Sequence, residues 1–205
     1  KPSTKKHVML TKQEIGRQIL HIMIGLVTVF LIHTEILSPL AIFFIIIIGI
    51  LASLISKRIK LPFFSYFLDR WEREENKNFP GKGMIWFFIG VLLVIKLFTL
   101  DIALAAIMIL TLGDSVSHLF GERFGQLNNI FNGNGKKLFE GTLAGTFAGF
   151  LGALLFVSPL EAIVASFAAM AVEVVKIDLN ENTVDDNLVV PLVAGTVIFL
   201  MRMYL

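Results

Sequence analysis

The chain has 205 residues, of which 56% are hydrophobic and 17% charged, and a net charge of +2 at pH 7; its mean hydropathy is +0.79. Soluble domains carry an apolar fraction nearer ~45–50%, interrupted by polar faces, so an ordinary soluble domain is excluded and an integral membrane protein is expected. There is no cysteine, which excludes disulfides and thiolate metal sites.

Apolar runs separated by charged or turn-forming residues predict seven helices, at about 15–33, 37–56, 84–98, 101–119, 141–157, 161–176 and 188–204. The fold class expected is an all-α polytopic membrane bundle of about seven transmembrane helices, forming one domain over 1–205. The first segment carries Glu14, Arg17 and His21 and lacks a small-residue cleavage pattern, so it reads as a retained helix. The stretch from Leu37 to Ser56 has no charge and, at ~1.5 Å per residue, is long enough for a ~30 Å hydrocarbon core. Residues 61–78 mix Phe63, Phe64, Tyr66, Phe67 and Trp71 with charged residues and read as an interfacial amphipathic segment. With seven spans and a cytoplasmic N-terminus, 16 of the 18 Lys and Arg residues fall inside, leaving Lys96 and Arg202 outside. That is the asymmetry of the positive-inside rule, and it puts the polar motifs on the cytoplasmic side.

Those motifs stand out because a charged group at the middle of a membrane helix costs roughly 2.5–3.5 kcal/mol on insertion scales. Glu14, Arg17, Gln18, His21 and Gly25 recur at helical spacing and form one stripe on the first helix. This stripe fits either a Glu14–Arg17 ion pair plus a His21 hydrogen bond between helices or a catalytic face. In TLGDSVSHLFGERFG (111–125), Asp114, Ser117, His118 and Gly121 share a face. Asp114 fits either a helix pair with His118 or a Mg²⁺ site shared with a distant partner, since that ion takes one or two protein carboxylates together with substrate phosphates. NGNGKKLFEG (132–141) places Gly133, Gly135, Lys136 and Lys137 before the fifth helix; it fits either a basic loop that only sets topology or one whose amides and ammonium groups cradle phosphate, and it lacks the Walker A spacing. Gly141, Gly145 and Gly149 form G-x-x-x-G steps, read as close helix packing. In EVVKIDLNENTVDDNLVVPLVAG (173–195), Asp185 and Asp186 precede the seventh helix. They fit a helix cap or, with the intramembrane Glu173, metal ligands.

In this order the pieces resemble the CTP-dependent polyprenol kinase family, which includes dolichol kinases, phytol kinases and CTP-dependent diacylglycerol kinases. The resemblance rests on Glu14, Arg17, His21 and Gly25; Pro80, Gly81, Lys82 and Gly83; Gly113, Asp114, Gly121 and Gly125; Lys137, Glu140 and Gly141; and Asp185, Asp186, Asn187, Pro191 and Gly195. Leu138 stands where similar proteins often carry a hydroxyl residue, and the likeness to the longer dolichol kinases covers their catalytic core alone.

The resemblance implies a membrane-embedded kinase that moves the terminal phosphoryl group of CTP to a lipid alcohol with a divalent cation. Its expected catalytic residues are Asp114, His21, Arg17, Glu14 and Glu140. Nucleotide and phosphate would be held by Lys136, Lys137, Lys82, Gly133, Gly135 and Asn187, and Mg²⁺ by Asp114, Asp185, Asp186 and Glu173. Either His21 or one of the acids would orient or deprotonate the alcohol. Partners are CTP, a bilayer lipid alcohol and the membrane, with no nucleic acid; a homo-oligomer is compatible with the sequence. The alternatives are a CTP-dependent cytidylyltransferase acting on a lipid phosphate, and a membrane transporter that uses its acids as relays.

Overall fold

A computed structural model describes residues 11–56, 79–124, 139–174, 178–179 and 182–204. The amphipathic segment at 61–78 and the loop residues Gly133, Gly135, Lys136 and Lys137 lie outside this set. Helix α1 spans Lys12–His33, α2 Pro39–Ser56, α3 Lys82–Leu97, α4 Leu100–Met108 and α5 Ser115–Phe124. A π-helical segment, Ile109–Asp114, joins α4 to α5. Then come α6 (Phe139–Ala153), α7 (Pro159–Val174), a two-stranded antiparallel ladder of β1 (Asp178–Leu179) and β2 (Asn182–Thr183), and α8 (Asp186–Tyr204). Counting α4, the π segment and α5 as one rod, the described residues form seven helical rods at the predicted places.

Local chemistry explains most boundaries. Thr11 Oγ1 accepts the Glu14 amide at 3.2 Å, and Ser38 Oγ accepts the Ala41 amide at 3.2 Å ahead of Pro39. Ser158 and Glu161 make a reciprocal capping box, with the Ser158 amide on Glu161 Oε2 at 2.8 Å and the Glu161 amide on Ser158 Oγ at 3.4 Å. Phe98 and Thr99 adopt extended backbone between α3 and α4, which separates the two apolar runs as expected.

Three features differ from expectation. The fourth rod continues to Phe124, and α6 stops at Ala153, four residues early, because Leu154–Val157 turn on short-range bonds such as Phe156 N–H to Ala153 C=O. The ladder pairs Asp178 with Thr183 and Leu179 with Asn182; it is a minor β element in an otherwise helical fold. Four rods, Lys12–His33, Pro39–Ser56, Leu100–Phe124 and Asp186–Tyr204, are long and apolar enough to cross a membrane. The other three cover 15–16 residues each among the described residues, about 24 Å at helical rise.

The rod Leu100–Phe124 is the centre of the bundle: 72% of its apolar window is buried, against 17% for α2. Residues Ile102 to Thr111 are buried without interruption, as a helix apolar on all sides must be. It touches α1, α3, α6, α7 and α8. Outward faces present Met23, Phe30, Leu40, Ile48 and Phe147, an apolar exterior suited to lipid. The protein is therefore an integral membrane protein.

At one end of the bundle Arg202 donates to Asp101 and, at 2.6 Å, to Glu161 Oε1, tying the end of α8 to the starts of α4 and α7. Arg202 and Asp101 are exposed to solvent, where ion pairs are screened. Arg202→Met is expected to cost about 1 kcal/mol or less, read as a small drop in melting temperature in detergent. Loss of the folded state would contradict this.

Candidate active site

Helix direction places the polar motifs together. α1, α3, α6 and α8 begin, and α5 and α7 end, at the pole opposite Arg202, so residues 14–21, 82, 114–122, 140, 173 and 185–187 reach one end of the bundle. On α1, Glu14 Oε1 accepts from Gln18 Nε2 at 3.0 Å and pairs with Arg17; Gln18 is 3% exposed. The simple ion pair read from the sequence is therefore present. One turn deeper, the His21 ring stands edge-on to Phe87 of α3 at a centroid separation of 5.3 Å. Its Nε2 is buried and has no hydrogen-bond partner among the described residues.

Around His21 the elements converge: Asp114, Arg17, Asp185 and His118 all lie close enough for their charges to act on its imidazole. Asp185 in turn feels Asp186 and Lys82. Residues from α1, α3, the central rod and the start of α8 thus share one electrostatic neighbourhood. Asp114 ends the π segment. Such segments are rare and recur at functional sites, and here the wider turn changes the register between the buried α4 and the half-polar α5. The π segment also meets α1 closely: a Cβ on Gly25 would lie 2.2 Å from Thr111 Oγ1. Thr111 Oγ1 is itself buried with no hydrogen-bond partner among the described residues.

Glycines set the remaining approaches. A Cβ on Gly141 would sit 2.5 Å from the Ser117 carbonyl oxygen, and one on Gly145 would sit 2.6 Å from that of Gly113. This is the close packing expected of the G-x-x-x-G steps, and it brings Glu140, in the first turn of α6, against the end of the central rod. Gly90 admits the Asn187 carbonyl oxygen, which would be 2.2 Å from a Cβ there, so α3 holds the start of α8 in place. Gly81, at φ 79°, precedes α3 in the left-handed conformation that glycine adopts without steric penalty, setting the direction from which Lys82 enters.

Asp185 does cap α8. Its Oδ1 accepts the Asn187 amide at 3.1 Å and Asn187 Nδ2 at 2.9 Å. Both bonds use one oxygen, so capping does not exhaust the carboxylate. Burial pushes the Asp185 carboxyl up from the usual range and Asp186 adds to the rise, against the Asn187 bonds and Lys82, which pull it down. The acid therefore keeps its proton to a higher pH in the fold than in the unfolded chain, and its ionisation lowers stability as pH rises through the folded value. Asp185→Asn, which can still cap, is expected to melt higher than native protein at neutral pH in the absence of metal and nucleotide. The difference should vanish near pH 3, where both states hold the proton; a variant that melts lower at neutral pH would refute this.

Glu173 is 2% exposed at the end of α7, and Asp114, Asp186, Glu140 and Glu173 all have interaction partners. Asp114, Asp185, Asp186 and Glu173 do not form a tight ligand trio among the described residues; the group that does is Glu14, His118 and Glu122. Glu122 and Thr111 were not singled out from the sequence. Glu122 carried one usable signal, lying at i+4 from His118 and i+8 from Asp114.

No family model matches the chain, and no solved structure matches it. Among curated proteins it is similar to CTP-dependent diacylglycerol kinase 1 of Saccharomyces cerevisiae, at 27% identity over 128 residues, 58% of this chain and 42% of the relative. The match spans less than half of that protein's length. This distant likeness accords with the resemblance read from the order of the motifs.

Proposed function

We propose that the chain is a membrane-embedded kinase that transfers the terminal phosphoryl group of CTP to a polyprenol-type alcohol at the cytoplasmic rim of the bilayer. The observation that carries the reading is the convergence on His21 of Arg17 from its own helix, Asp114 and His118 from the central rod, and Asp185 from the start of α8. Phosphoryl transfer demands positioning and charge neutralisation more than covalent help, and this cluster offers both. The alcohol oxygen attacks the terminal phosphorus, the bond to the bridging oxygen of the departing CDP breaks, and the hydroxyl proton passes to His21 or a neighbouring acid. A buried imidazole whose Nε2 has no hydrogen-bond partner among the described residues fits this acceptor role. Lys82, with Arg17 and the loop residues Lys136, Lys137, Gly133 and Gly135, would hold the triphosphate, with Asn187 and Glu140 at its edge.

The donor set around Asp185 is carboxylate oxygen, which suits Mg²⁺. That ion needs only one or two protein carboxylates beside phosphate and water, so a tight trio is not required. Asp114, Asp185 and Asp186, with Glu173 behind them, would hold the ion, which neutralises triphosphate charge when bound. The lipid would enter between helices from the bilayer, its hydroxyl reaching the polar end.

The name of the relative favours a second acceptor, diacylglycerol. Purified protein given CTP and Mg²⁺ with polyprenol or diacylglycerol in parallel should form CDP and one phosphorylated lipid, identified by mass spectrometry. Release of pyrophosphate from CTP and a lipid phosphate would select the cytidylyltransferase instead. Solute flux into liposomes without nucleotide would select a transporter.

A further inference from the structure

Glu14, His118 and Glu122 each offer a ligand atom, and these atoms lie within 4.8 Å of one another. All three residues are half-buried, and they come from two helices more than a hundred positions apart in sequence. His118 and Glu122 stand one turn apart on α5, so their side chains meet on one face, while Glu14 approaches from the first turn of α1. Glu14 is also fixed in orientation: Gln18, which is buried, and Arg17 both donate to its Oε1, in the way outer groups fix a metal-binding carboxylate. Two carboxylates and a neutral imidazole leave negative charge even after Arg17 is counted.

The donor chemistry separates this trio from the carboxylates around Asp185. Mg²⁺ and Ca²⁺ favour oxygen donors throughout. One imidazole nitrogen with two carboxylates suits Zn²⁺ or Mn²⁺, and three protein ligands leave a coordination position open. We propose that Glu14, His118 and Glu122 form a transition-metal site of the Zn²⁺ or Mn²⁺ class that fastens α1 to α5 beside His21. The proposal goes beyond the kinase reading and does not depend on it.

The test uses the purified full chain in detergent, without nucleotide or lipid. Equilibrium dialysis against Zn²⁺ with elemental quantitation should give one bound ion per chain. His118→Ala and the conservative Glu122→Gln are each expected to weaken Zn²⁺ binding more than about tenfold, at least the loss caused by removing groups that merely support a metal. Asp186→Asn should bind as the native chain does. Zn²⁺ should also raise the melting temperature of the native chain and not that of His118→Ala. Absence of stoichiometric Zn²⁺ binding, undiminished binding in both site variants, or an equal loss in Asp186→Asn would overturn the proposal. Because no CTP is present, a failed kinase assay leaves this result standing, and a failed metal assay leaves the kinase reading standing.

Discussion

Asp114→Asn is expected to leave the melting temperature nearly unchanged while lowering kcat/KM for CTP-dependent lipid phosphorylation by roughly 10²–10³-fold, the loss seen when one preorganised charge-stabilising group is removed. Asparagine has almost the same shape, so the π segment and its packing against α1 and α6 should persist. What disappears is a negative charge that acts on His21 and, in the proposed scheme, an oxygen ligand for the cation. Initial rates at saturating lipid, paired with thermal melts of the same preparations, separate the two effects. A variant retaining more than about half of native turnover would remove Asp114 from the mechanism. A variant with low turnover that also melts far below the native chain would show that the carboxylate serves the fold instead.

The sequence foretold the helices well because lipid compatibility is a composition property that every residue of a span reports. The break at Phe98–Thr99 was legible in the same way, from Lys96 and Asp101 interrupting an apolar run. The π segment had no such signal: Ile109–Asp114 has ordinary helical composition, and its neighbours Gly25, Gly145 and Met170 come from other helices. The end of α6 was missed because Leu154–Val157 are as apolar as the helix they follow. At the site, Glu14, His21, Asp114 and the Asp185–Asp186 pair were visible as polar residues in apolar surroundings. The trio of Glu14, His118 and Glu122 was not, since neither α1 nor α5 announces which face it turns to the other. Lys136 and Lys137 were legible as a basic loop before α6, and their placement relative to His21 rests on the proposed mechanism.

Gly145→Ala is expected to damage activity more than its one added carbon would imply. A methyl group there would lie 2.6 Å from the Gly113 carbonyl oxygen, 2.7 Å from Ser117 Cβ and 2.9 Å from Met170 Sδ, so three separate elements resist it. Two of those atoms cannot rotate out of the way: one belongs to the backbone and another is the first carbon of its side chain. The strain must then be relieved by moving α6 away from the central rod, at an overpacking cost of about 1–3 kcal/mol. Gly113 directly precedes Asp114, so the same movement shifts the carboxylate, and a displacement near 1 Å can cost about 10²-fold in rate. Gly149→Ala is a graded comparison, since its methyl would meet nothing closer than 3.2 Å, and Gly83→Ala a neutral one, since nothing lies within 4 Å. Melting temperature and turnover should fall in the order Gly83, Gly149, Gly145, with turnover falling further than stability at Gly145. Near-native turnover in Gly145→Ala would mean that the position of Asp114 does not depend on this contact, and the link drawn between the glycine packing and the candidate site would fail.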